Sequence, residues 1–208
     1  MSSVYEIRQP ELLLRELTDY GATSVPLLGE PVLSSLREGA EGLPFEQTAR
    51  TVGDYDVRQE LEVCRTVPKD GIFDTVQGQL EDQLNEAFGR LAPLPWPADE
   101  MQRLRFNEAA LQRYPAGSLG LSPHRDGKRY RVVIAILVIS GEGTFAVCDD
   151  RAGTNPRSIP ADPGRCILLR APGFRGIEKR PFHYVSDVTK ERLVLTLRYD
   201  SRREQPAT

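Results

Sequence analysis

Arg131-Val132-Val133-Ile134-Ala135-Ile136-Leu137-Val138-Ile139 is apolar on both parities. A strand buries both faces only when something packs on each, so this stretch reads as a central strand with cover above and below. Around it, from Pro97 onward, lie further strand-like runs at 104–114, 144–148, 166–170 and 192–199, separated by Gly and Pro turns. Several short strands at this spacing indicate a sandwich or barrel rather than a parallel α/β sheet.

The first hundred residues supply the cover. A helical pattern runs over 10–36, with Leu12, Leu13, Leu14 and Leu17 on one segment and Val32, Leu33 and Leu36 on another. Pro26 and Gly29-Glu30-Pro31 punctuate it, and 25–28 is read as a short strand. Over 73–91, Phe73, Val76, Leu80, Leu84, Phe88 and Leu91 recur at three- and four-residue spacing. That makes one apolar stripe, which needs a sheet to cover, and Pro93, Pro95 and Pro97 are expected to end the helix. Residues 45–70 read two ways, as helix formers or as a strand in which Tyr55, Val57, Leu61 and Val63 alternate; the strand reading is preferred. The expected organisation is one domain over 1–208: a helical and mixed support over 1–100, a strand-rich core over 101–200 and a tail over 201–208.

At 208 residues the chain can bury a substantial core. No window approaches the apolar length of a membrane span, and Met1-Ser2-Ser3-Val4-Tyr5-Glu6 has neither a basic nor an apolar leader region, so a cytoplasmic location is expected. Cys64, Cys148 and Cys166 are odd in number and form no CxxC pair, which disfavours a disulfide framework or a zinc site. The net charge of −3 conceals an asymmetry. Residues 1–100 carry 8 Lys+Arg against 19 Asp+Glu, and residues 101–208 carry 19 against 11. A basic half points to an anionic ligand held within it, with a solvated basic surface as the alternative.

The chain has only two histidines. His124 stands two residues before Asp126, and His183 opens the segment leading into the last strand. Two His and one carboxylate on one face of a metal, with open positions opposite, is the ligand set of a site that binds Fe(II) and O2. If His124 lies in a strand, positions i and i+2 share a face, so Asp126 reaches the same metal and Arg125 turns away. Along Arg192-Leu193-Val194-Leu195-Thr196-Leu197-Arg198, one parity is apolar and the other carries Arg192, Val194, Thr196 and Arg198. Two arginines on one face of a core-grade strand look either into water or into a cavity holding an anion, which a planar guanidinium grips bidentately. In the run before the metal motif, Phe106, Glu108, Ala110, Gln112 and Tyr114 share a parity. Tyr114 is then either a hydrogen-bond donor to that anion or a structural tyrosine at a strand end.

The motif HxD at 124–126, His183, the RxxxTxR of 192–198 and the preceding Arg113-Tyr114-Pro115-Ala116-Gly117 together resemble the Fe(II)/2-oxoglutarate-dependent dioxygenases, and most closely the AlkB-type branch. The resemblance covers about residues 104–200 and implies a double-stranded β-helix, a jelly roll, with the N-terminal helices on the outer face of its major sheet. It implies Fe(II) held by His124, Asp126 and His183, with no catalytic side chain beyond these ligands. 2-Oxoglutarate would be bound by Arg192 with help from Tyr114, Thr196 would line the pocket, and Arg198 would lie near the carboxylate that chelates the metal. O2 would complete the reaction, in which 2-oxoglutarate is decarboxylated to succinate while a substrate C–H bond is oxidised. Val194 stands where the branch has asparagine. Lys128 stands where its nucleic-acid demethylases often have an acidic residue that reads the base.

Three functions follow from these residues. The favoured one is hydroxylation of a small polar or anionic molecule, with Arg125, Lys128, Arg129 and Arg131 either gripping that substrate or forming a solvated rim. The second is oxidative demethylation of nucleic-acid bases, which would use the same basic run on phosphates but needs aromatics to grip a flipped base. Phe45, Tyr55 and Trp96 form no such pattern, and Trp96, between Pro95 and Pro97, reads as a packing plug between helix and barrel. The third is a non-catalytic jelly-roll module that holds a ligand without turnover.

Overall fold

A computed structural model of the chain describes Val4 and residues 6–53, 56–91, 93–97 and 101–204. Its helices are α1 (Pro10–Asp19), α2 (Glu30–Ala40) and α3 (Gly71–Gly89). Its strands are β1 (Ala22–Pro26), β2 (Glu46–Gln47), β3 (Thr51–Val52), β4 (Val57–Arg58), β5 (Glu62–Cys64), β6 (Glu108–Tyr114), β7 (Leu121–His124), β8 (Val133–Cys148), β9 (Arg157–Ile159), β10 (Arg165–Arg170) and β11 (Phe182–Arg198).

The apolar run at 131–139 becomes strand from Val133, and β8 joins it to the expected strand at 144–148 by continuing through Gly141 and Gly143 to Cys148. Its antiparallel partner β11 is equally long and begins at Phe182, so it contains His183 as well as the two arginines. Together these two strands run through both sheets. The first half of β8 pairs with the second half of β11 in the major sheet, ordered β1-β10-β8-β11-β6-β5-β2. The second half of β8 pairs with the first half of β11, and in the minor sheet β7 adds to the β11 side and β9 to the β8 side. Between the halves the register shifts, at Ser186–Lys190 and Lys190–Val194. Such irregularities bend a strand sharply enough to pass from one sheet to the other. The crossing depends on Gly141, at φ 83°, where a Cβ would lie 2.1 Å from the Glu191 carbonyl oxygen.

Side-chain parity then separates two cores. Val133, Ala135, Leu137 and Ile139 of β8 and Leu193, Leu195 and Leu197 of β11 meet the stripe of α3, formed by Phe73, Val76, Leu80, Leu84 and Phe88, and the buried leucines of α1 and α2. Ile134 and Val138 of β8, Val194 of β11, and Phe145 and Val185 face the interior between the sheets. Each buried side chain of this size contributes about 1.5–3 kcal/mol, so the helical layer is a large part of what holds the major sheet. Trp96 packs edge-on against Phe88 at 6.2 Å, the plug between helix and barrel.

Several boundaries differ from expectation. β1 begins at Ala22, three residues before 25–28, and pairs with β10 along its whole length. α3 ends at Gly89, ahead of the prolines, so Pro93 does not terminate it. Residues 104–107 are not strand, and Phe106 belongs to the helix-side core, because side chains of α3 take up the backbone groups of Leu104 and Phe106. Asn85 Oδ1 accepts from Leu104 N at 2.8 Å, Glu81 Oε1 accepts from Phe106 N at 2.7 Å, and Gln77 Nε2 donates to Phe106 O at 2.9 Å. A chain segment bonded to a helix in this way cannot also join a sheet ladder. Residues 45–70 form four short strands, β2 to β5; Tyr55 lies outside the described residues. Cys64 and Cys166 are buried free thiols, and Cys148 is half-buried. Among the described residues no helix is long and apolar enough to cross a membrane.

Candidate metal and anion site

β7 and β11 lie antiparallel with His124 directly opposite His183. Cross-strand partners sit close enough for their side chains to touch, and the two imidazole rings are 4.2 Å apart between centroids. Asp126 does not share a strand face with His124, since β7 ends at His124. It comes instead from the loop beyond, where Arg180 donates a hydrogen bond to its backbone carbonyl, and its carboxylate Oδ2 reaches His183 Nε2 at 3.2 Å. One nitrogen or oxygen from each of His124, Asp126 and His183 lies within 4.8 Å of the others.

The surroundings prepare this trio for a cation. His124 Nδ1 lies 3.0 Å from the Ser122 carbonyl, which accepts its proton and leaves Nε2 as the free lone pair. Phe145 stacks on the His183 ring at 5.7 Å. Burial, followed by the proximity of His183, pushes the His124 pKa down to about 4, so the ring is neutral at ordinary pH. Burial alone would raise the Asp126 carboxyl. The hydrogen bond and charge of His183, with the charges of Arg198 and His124, outweigh it and hold the group well below the usual carboxylate range. A neutral imidazole at His124, an anionic carboxylate at Asp126 and the His183 imidazole converge from one side and match the donor set of a mononuclear Fe(II) site.

The cavity next to this cluster is small, about 40 Å³, and Tyr114, Arg192, Val194, Thr196 and Arg198 line it with the three candidate ligands. The inward parity of β11 is therefore as expected. Arg192 is 1% exposed and donates one hydrogen bond, from its NH1 nitrogen to the Ala161 carbonyl at 2.9 Å; its Nε has no partner. A buried guanidinium with an unmet donor is costly unless an anion joins it. Tyr114 faces Arg192 across the β6–β11 ladder, and burial pushes its phenol up to about 12, so it remains a protonated donor. Its hydroxyl is 3.4 Å from Gln112 Oε1, a pocket residue overlooked in the sequence although it shares the parity of Tyr114. Thr196 donates to the Ala110 carbonyl at 3.0 Å. Arg198 differs from Arg192 in being anchored, 3.4 Å from Glu108 Oε1, and it stands over the Tyr130 ring at 5.0 Å.

The basic run after the metal motif divides. Arg125 is exposed and stacks on Phe182 at 4.0 Å. Lys128 is exposed, and Arg131 turns towards Glu178, 3.5 Å away. Arg129 lines a cleft of about 690 Å³ that adjoins the smaller cavity and shares Gln112 and Arg198 with it. Phe45 is no part of this region's walls and instead carries the Arg113 guanidinium at 3.7 Å.

No protein-family model matches the chain, and no curated protein matches it. Solved structures do. A prolyl-4-hydroxylase of Pseudomonas putida is 17% identical with a TM-score of 0.63, over 93% of this chain and 100% of that one. An oxidoreductase of the 2OG-Fe(II) oxygenase family from Burkholderia pseudomallei is 14% identical with a TM-score of 0.64, over 96% of each chain. A prolyl hydroxylase from Trichoplax adhaerens, in complex with a hypoxia inducible factor peptide fragment, is 13% identical with a TM-score of 0.62, over 96% of this chain and 94% of that one. At these identities the likeness is one of architecture: the chain has the double-stranded β-helix fold of the 2-oxoglutarate and Fe(II) oxygenases.

Proposed function

We propose that the chain is an Fe(II)- and 2-oxoglutarate-dependent dioxygenase that hydroxylates a C–H bond of a small, polar or anionic molecule, with 101–200 as its catalytic core and 1–100 as its support. The observation that carries this reading is the buried Arg192, with an unmet donor, in the same cavity as a two-histidine, one-carboxylate cluster.

His124, Asp126 and His183 would hold the metal from one side, with His124 neutral and Asp126 ionised as ligands must be. Arg192 would grip the distal carboxylate of 2-oxoglutarate, and the protonated Tyr114 phenol would donate to it. Arg198, held by Glu108, would face the carboxylate at the metal end, and Thr196 would line the pocket between them. Ile134, Ile136, Phe145, Val185 and Val194 wall the cavity and keep water from it. Fe(II) with 2-oxoglutarate and O2 supplies the oxidation itself, coupling decarboxylation to succinate with transfer of oxygen to the substrate.

Two of the structural neighbours are prolyl hydroxylases, so a prolyl C–H bond is a substrate to test beside free metabolites. The decisive experiment is succinate formation from 2-oxoglutarate with Fe(II), measured across amino acids, other small metabolites, proline-containing peptides and methylated oligonucleotides. Stimulation by a small polar molecule is expected. Stimulation by methylated oligonucleotides alone, with release of formaldehyde, would replace this reading by the nucleic-acid one.

A further inference from the structure

The 690 Å³ cleft beside the metal cavity is lined by five arginines, Arg65, Arg129, Arg198, Arg202 and Arg203, and by two carboxylates, Glu108 and Asp200. Each carboxylate is already divided between two guanidiniums. Glu108 faces Arg198 at 3.4 Å and Arg203 at 3.0 Å; Asp200 faces Arg129 at 2.9 Å and Arg202 at 3.3 Å. Five cations against two anions leave three positive charges unbalanced within one concave surface. A concave wall concentrates that field, and guanidiniums are the side chains best matched to carboxylate and phosphate oxygens.

The position of the cleft matters as much as its charge. Arg198 and Gln112 line both it and the cavity of His124, Asp126 and His183. A ligand in the cleft would therefore meet the metal cavity at Arg198 and Gln112 and have Arg65, Arg129 and Arg202 around its other groups. The volume is that of a pocket for a small molecule. A long polyanion would also have to run along a chain whose first hundred residues carry 8 Lys+Arg against 19 Asp+Glu.

We propose that this cleft is the primary-substrate site and that the substrate is a small molecule bearing at least two anionic groups, carboxylate or phosphate, opposite the carbon that is oxidised. The proposal rests on the oxygenase reading above. It accounts for part of the basic second half of the chain through Arg198 at the end of β11 and Arg202 and Arg203 in the turn after it, joined by Arg65 next to β5, rather than through the run at 125–131, of which only Arg129 contributes.

The test uses the full chain loaded with Mn(II) and saturating 2-oxoglutarate, so that Arg192 is occupied. It is titrated calorimetrically with fructose 1,6-bisphosphate in one arm, tricarballylate in a second and a single-stranded oligonucleotide in a third, against Arg65→Ala/Arg202→Ala. Affinity for 2-oxoglutarate is measured on both proteins without the probes. Saturable binding is expected in the phosphate or the carboxylate arm, which identifies the anion, with at least a tenfold loss in the double variant and less than a twofold change in 2-oxoglutarate affinity. If 2-oxoglutarate binds but neither small anion does, or if the variant binds them as tightly as the wild type, the cleft assignment is overturned alone. Binding of the oligonucleotide only would overturn the small-molecule class. Failure of 2-oxoglutarate itself to bind would overturn the oxygenase reading and the substrate assignment with it.

Discussion

His183 stands directly opposite His124 in the β7–β11 ladder, with 4.2 Å between the ring centroids. The only two histidines of the chain are thus brought together by strand register, and Asp126 is added from the loop that follows. Removing one imidazole should leave the ladder intact and the metal unbound. His183→Ala is expected to lose stoichiometric binding of Fe(II) or Mn(II), a fall of about 100-fold or more in affinity, while far-ultraviolet circular dichroism stays unchanged. Retention of wild-type metal affinity would sever His183 from the site.

Arg192 predicts function and stability moving in opposite directions. Its buried guanidinium has one backbone carbonyl and an unmet Nε, so an apolar replacement of similar length removes a desolvation cost. Arg192→Met should stabilise the ligand-free protein by about 1 kcal/mol or more in denaturant titrations. The same change should weaken 2-oxoglutarate at least tenfold. A variant that was destabilised, with co-substrate affinity unaltered, would show that Arg192 is a structural residue.

The acid limb of stability follows from His124. Its pKa in the folded, metal-free protein is about 4, against about 6.5 for an ordinary histidine, so the unfolded chain takes up the proton first. Stability is therefore complete above about pH 6.5 and declines as the pH falls towards 4. Asp126, also depressed on folding, adds a further loss below the ordinary carboxylate range. Thermal melts of the metal-free protein should show this decline, and His124→Gln should flatten the part between pH 6.5 and 4. An unchanged slope would assign the decline to other groups.

Gly141 tests the strand crossing. A Cβ there would meet the Glu191 carbonyl oxygen at 2.1 Å and Arg192 Cα at 2.5 Å, at a φ of 83°. Gly141→Ala is expected to cost about 3 kcal/mol or more, whereas Gly78→Ala, on α3 with open space around it, should be neutral or slightly stabilising. Equal midpoints for the two variants would contradict the close packing of β8 on β11.

Much of the fold was legible because it rests on parity. The alternation in 192–198 sorted Leu193, Leu195 and Leu197 from Arg192, Val194, Thr196 and Arg198, and the two sets face the helices and the cavity as that alternation requires. Periodicity likewise exposed the stripe of α3. Long-range bonding was not legible. Nothing local announces that Asn85 and Glu81 of α3 hold 104–107 out of the sheet, or that β8 and β11 each continue through a bend into a second sheet. The site divides in the same way. The two histidines and the arginine strand stood out through rarity and pattern, whereas Gln112 and the cleft of Arg65, Arg202 and Arg203 are assembled from segments far apart in sequence.

The central claim, that His124, Asp126 and His183 hold an iron whose open face takes 2-oxoglutarate secured by Arg192, is tested most directly by anaerobic titration of the protein with Fe(II) and 2-oxoglutarate, followed in the visible range. A weak metal-to-ligand charge-transfer band is expected that saturates with one co-substrate per chain, is absent in His183→Ala and needs at least tenfold more 2-oxoglutarate in Arg192→Met. A folded protein that gave no such band, or one whose band survived both substitutions, would contradict it.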